Sequence, residues 1–150
     1  MKWINIYGLV MIAVIMIPNI VFAARCKDGF ENLWHNRFVE ITEQIGRFSC
    51  FALMIFNIPG IYMGFETDSA LHIYLIADGL MIAAYCLIWI IFCRKPGMFR
   101  AAALSVLPSA VFLASGIMSR YILLVIAAAV FAPAHIVLSC KNAAVSQKEK

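Results

Sequence analysis

The chain has 150 residues, 64% hydrophobic and 13% charged, with a net charge of +4 at neutral pH and a mean hydropathy of +0.91. Ordinary globular domains are about 45–50% apolar and about 25% charged, so this composition excludes a soluble domain. Disordered, collagen-like and disulfide-stapled secreted chains are excluded too, because they need polar, Gly/Pro-periodic or Cys-dense sequences.

The composition points to a single all-α integral membrane domain over residues 1–150, a polytopic transmembrane helical bundle. A helix needs about 20 residues, at about 1.5 Å each, to cross the hydrocarbon of a bilayer. Nearly charge-free stretches of that kind occur at 3–24, 48–65, 69–93, 101–119 and 121–140. The sequence therefore predicts five spans.

The first stretch follows Lys2 and contains Val21-Phe22-Ala23, which imitates a signal peptide and its cleavage site. Cleavage would leave four spans and turn the basic loops outward, so this stretch is read as a permanent anchor. Residues 25–47 form the long polar segment of the chain. Phe30, Leu33, Trp34, Phe38, Ile41 and Ile45 recur there at three- and four-residue steps, which predicts an amphipathic helix over 28–46 on the cytoplasmic side. It would run into the second span or bend into it at Gly46. Glu43 and Arg47 make a favourable i,i+4 pair on it. Glu31, His35 and Glu40 also lie on it and raise the reading of a membrane enzyme, with a metal or a carboxylate-oriented base. A solvated face of alternating charge explains the same residues without chemistry.

Glu66-Thr67-Asp68 separates the second and third spans, which predicts a hairpin 2/3. The third span holds Asp78, the single formal charge within a span. A charge at the bilayer centre costs about 2.5–3.5 kcal/mol or more unless it is paired or protonated. Counting residues places Asp78 about 13 Å below the outer face and Asn57, on the second span, at nearly the same level. A helical period puts Tyr74, Tyr85 and Trp89 on the Asp78 face. Asp78, Asn57, Tyr74, Tyr85 and Trp89 are accordingly the candidate binding residues. They suit either a proton or cation site lined by aromatic rings, or an acid whose hydrogen bonds lock helices together.

Arg120 alone separates the last two spans, which predicts a hairpin 4/5. Ser105/Ser109, Ala110/Ala114 and Ala128/Ala132 are small-xxx-small pairs that allow close backbone approach. His135 follows Pro133 and is expected to bond a backbone carbonyl or water. Pro18, Pro59, Pro108 and Pro133 fall inside four of the five stretches and predict kinks.

Alternating the spans sorts the twelve basic residues. With the N-terminus outside and the C-terminus cytoplasmic, only Lys2 and Arg120 lie outside, the asymmetry expected of a membrane protein whose basic loops face the cytoplasm, in a plasma membrane if the source is prokaryotic. The five cysteines fall towards the inner side, and no C-x-x-C pair suggests redox chemistry. No nucleotide, nucleophile-elbow or metalloprotease signature occurs, so no cofactor and no metal are predicted. The expected partners are the lipid bilayer and a protein partner or further copies of the chain, with no nucleic acid. Three functions follow in order: a binding, regulatory or accessory subunit of a membrane assembly; a small oligomeric proton- or cation-coupled transporter using Asp78; and an enzyme using Glu31, His35 and Glu40.

Overall fold

Backbone groups facing hydrocarbon must be satisfied within their own segment, and the chain answers with helices throughout. The computed structural model describes residues 3–25, 32–92 and 97–148. Its helices are α1 (Ile6–Arg25), α2 (Arg37–Ile55), α3 (Asp68–Phe92), α4 (Met98–Met118) and α5 (Ile122–Lys148). Among the described residues there is no strand, only an isolated bridge between Ile4 and Phe56. α1, α3, α4 and α5 are long and apolar enough to cross a membrane.

Their side chains are arranged inside out. On α3, Tyr74, Asp78, Ile82, Tyr85 and Trp89 are buried, whereas Leu80 is 67% and Ile90 75% exposed. Water would make that arrangement unfavourable, at about 25 cal/mol for each Å² of exposed apolar surface; hydrocarbon does not. The compact helical chain has the surface of an integral membrane protein.

α2 differs from the predicted pattern. Asn36 caps it, accepting from the Val39 N–H at 3.3 Å, and the helix then runs unbroken through Gly46 to Ile55. The predicted interfacial helix over 28–46 and span over 48–65 are therefore replaced by one helix straddling their boundary. Residues 28–31 lie outside the described residues. Gly46 does not bend the helix; its missing side chain lets the Phe131 backbone in, since a Cβ at Gly46 would lie 2.9 Å from Phe131 Cα. Beyond Ile55 the chain is extended at Phe56 and turns through 59–61. Pro59 disfavours helix at the residue before it, and Gly60 adopts a φ of 86°. Pro59 thus ends a helical path rather than kinking one, while Pro18, Pro108 and Pro133 lie within helices.

Contacts between helices fix their directions. Asn5 N–H bonds Ile55 O at 2.8 Å and Asn57 N–H bonds Trp3 O at 2.9 Å, so α1 and α2 run antiparallel. Tyr74 meets Met11, Tyr85 meets Asn19 and Trp89 meets Phe22, a progression that makes α1 and α3 parallel. α4 is antiparallel to α3, with Asp78 against Ser115 and Phe92 against Phe99. α5 is antiparallel both to α4, through Phe112 and Phe131, and to α2, through Glu43 and His135.

The helices close a ring in the order α1, α2, α5, α4, α3 and back to α1. α4 and α5 share the broadest interface and α1 is held least tightly. The predicted hairpin 2/3 does not form a comparable interface: the segment after Ile55 passes Tyr121, whose hydroxyl donates to Phe56 O at 3.3 Å, and delivers the chain to the far side of the ring.

Candidate binding cavity and two buried acids

Asp78 is fully buried. Ser115 Oγ of α4 donates to its Oδ2 at 2.5 Å, while Oδ1 is buried with no hydrogen-bond partner among the described residues. Tyr74, one turn nearer the chain-reversal end of α3, donates to Met11 Sδ at 3.3 Å. Asn57 stands elsewhere. Its N–H is bonded to Trp3, and the Met11 level lies about 12 Å further along α1. The expected meeting of Asp78 with Asn57 does not occur, because the helix stops at Ile55 and Asn57 falls in the connection beyond it.

A second acid is buried at the other end of the ring. Glu43 is 2% exposed. Its Oε1 accepts from Arg47 Nε at 2.9 Å and from Arg47 Nη2, and His135 Nδ1 of α5 lies 2.8 Å from the same oxygen. A carboxylate oxygen only accepts, so the facing ring nitrogen carries a hydrogen. Phe131 stacks on the His135 ring at 4.6 Å. The i,i+4 pair was legible in the sequence, but the expected partner of His135, a carbonyl or water, is replaced by Glu43. A helix starting at Arg37, which Asn36 and its capping oxygen would have signalled, carries Glu43 inward to that level.

Between the helices lies a cavity of about 790 Å³, within the about 300–1,000 Å³ usual for ligand sites. Along α4 it reaches from Gly97 to Phe112, roughly 22 Å of helix. Arg47, Arg100 and His135 line it, and among the described residues no carboxylate does. The Arg100 guanidinium stands over the Phe22 ring, 5.5 Å from its centroid, and donates to Phe92 O at 3.3 Å. Across the cavity Tyr85 donates to Asn19 Oδ1 at 2.8 Å.

The candidate residues thus occupy separate places. Tyr85 and Trp89 line the cavity, Asp78 and Tyr74 are sealed beside α4 and α1, and Asn57 sits at the opposite end. His35, with its side chain 78% exposed, stands 3.6 Å from Glu40, and neither lines the cavity. Glu31 lies outside the described residues. Among those described, no three potential ligands gather for a metal. Arg47 and Arg100 were missed because they look like loop or surface charges in sequence, and His135, singled out there, was given a carbonyl or water partner rather than a place on a cavity wall. Compared with known protein families, curated proteins and solved structures, the chain matches none.

Proposed function

We propose that the protein is a five-span integral membrane protein, N-terminus outside and C-terminus cytoplasmic, that binds a ligand as a regulatory or accessory component of a membrane assembly. The cavity carries this reading. A deep apolar wall with a few convergent polar groups is the composition of a recognition site. The fifth span is α2, supported by its antiparallel register with both α1 and α5 and by the internal pairing of Glu43 with Arg47 and His135. The sorting of basic residues supports the orientation. A protein partner, or further copies of the chain, completes the assembly.

Native mass spectrometry of the full chain, extracted from its own membranes in mild detergent, tests the binding. The protein is expected to carry a small-molecule adduct. Ala143→Trp, which fills the cavity beside Asn142, is expected to remove that adduct without changing the helix content. An adduct retained unchanged by the variant places the ligand elsewhere and refutes the reading.

One observation favours a second reading, coupled transport through Asp78: its Oδ1 is buried without a hydrogen-bond partner among the described residues, as suits an acid that gains and loses a proton. Asp78→Asn keeps the shape and the Ser115 contact. Transport predicts that it abolishes proton flux into proteoliposomes, whereas equal flux in the two proteins rejects it.

A further inference from the structure

Glu43 holds only one edge of the His135 ring. Nδ1 lies 2.8 Å from Glu43 Oε1, and the ring lines the cavity although Glu43 does not. The edge turned to Glu43 is covered by it, so the edge carrying Nε2 is the one the ring offers to the cavity. Nε2 has no hydrogen bond among the described residues. The charges behind the ring set its tautomer. Glu43 and Arg47 cancel each other, so a neutral imidazole leaves the buried cluster without net charge, as a low-dielectric site favours. The single ring hydrogen then sits on Nδ1, facing the carboxylate, and Nε2 is an acceptor.

A run of aromatic rings leads to this acceptor. Phe51 meets Phe112 edge-on at 5.8 Å and Phe112 meets Phe131 edge-on at 5.6 Å, while Phe131 stacks on His135 at 4.6 Å. All four rings line the cavity. Such a wall favours another aromatic ring beyond the area it buries, because ring edges and faces carry opposite partial charge. Tyr85 spends its hydroxyl hydrogen on Asn19 Oδ1 at 2.8 Å, so it is not the donor that Nε2 lacks. An acceptor at the end of an aromatic wall calls for a flat apolar molecule with one hydrogen to give. We propose that the cavity binds a lipophilic phenol. Its hydroxyl donates to His135 Nε2, its ring lies against Phe131 and Phe112, and its apolar tail runs along Ile15 and Pro108. The proposal rests on the binding reading above and adds the ligand's chemical class and its anchor. Glu43 acts as a positioning residue, fixing the tautomer that leaves Nε2 able to accept.

Probes of one tail length test this by native mass spectrometry of the full chain in mild detergent. They are para-dodecylphenol, its methyl ether, which has no hydrogen to give, and para-dodecylcyclohexanol, which has the hydroxyl without the aromatic ring. The phenol is expected to reach half occupancy at a concentration about three- to tenfold below either of the others, the range of one hydrogen bond or one ring contact. His135→Asn keeps an N–H for Glu43 but lacks the second ring nitrogen. It is expected to erase the preference over the ether, with circular dichroism confirming the helix content. A second readout uses the unsubstituted chain carrying isotope-labelled histidine. There the phenol is expected to move the Nε2 nuclear resonance of His135, one of three histidines, and the ether to leave it in place. Equal affinity for phenol and ether, or an unmoved Nε2 resonance, overturns the hydrogen bond while cavity binding stands. Equal affinity for phenol and cyclohexanol overturns the aromatic class. Phenol retained by Ala143→Trp lies outside the cavity and overturns the site. If no probe binds, the phenol class is overturned, and the binding reading falls with it only where the native adduct is missing too.

Discussion

A single carboxylate oxygen, Glu43 Oε1, gathers two groups from two helices, Arg47 on its own and His135 on α5. Burying a charge is tolerable only when every charge and hydrogen around it is answered, and removing one partner leaves the others stranded. Glu43→Ala leaves a guanidinium and an imidazole facing an empty site at 2% exposure. It is expected to cost about 3–5 kcal/mol and to lower the thermal midpoint of the detergent-solubilised protein strongly. A change below about 1 kcal/mol would show that water already screens the pair. Asp78 is a different case, with one hydroxyl partner rather than a guanidinium and an imidazole, so the same burial serves a neutral or a charged acid. Residue identity alone, Asp in one span and Glu beside an arginine, suggested the opposite ranking of interest.

Helices pack here by leaving out side chains. Gly46 admits the Phe131 backbone to within 2.9 Å of where a Cβ would stand, and Gly116 admits Val125 equally closely. Gly46→Ala therefore forces α2 away from α5 and is expected to destabilise by about 1–3 kcal/mol. Gly79 on α3 is the internal control, with nothing within 4 Å of its absent Cβ. Gly79→Ala should instead stabilise by about 0.5–1 kcal/mol, because a mid-helix glycine gives up more backbone freedom than alanine. Unfolding of both variants in one detergent checks the sign of each. α3 shows how far periodicity reaches: the 3.6-residue repeat grouped Tyr74, Asp78, Tyr85 and Trp89, and all four are buried. α2 shows where it stops. Its charges read as a solvated face because the histidine that answers Glu43 lies 92 positions away, and no local pattern reveals a partner at that separation. The cavity is likewise invisible in sequence, being made of residues from all five helices, none unusual alone.

At the scale of the whole molecule, the ring closes only if α2 lies full length between α1 and α5. Nineteen residues at a rise of about 1.5 Å extend about 28 Å, close to the thickness of the hydrocarbon core. α2 is nevertheless the one helix of the five whose composition falls short of a membrane span. Its ends decide the matter. If α2 crosses, His35 and Thr67 stand on opposite sides of the bilayer; if it dips in and returns, they stand on the same side. In a cysteine-free background, His35→Cys is expected to react with a membrane-impermeant maleimide only from the cytoplasmic side, and Thr67→Cys only from outside. Both positions are exposed, so reactivity reports sidedness rather than burial. Labelling of both from the cytoplasmic face would remove α2 from the spans and invert α3, α4 and α5. It would also put Arg100 and the cavity mouth on the outer side, against the charge sorting that basic loops obey. The topology, the orientation and the leaflet from which a ligand enters thus stand or fall on these two cysteines.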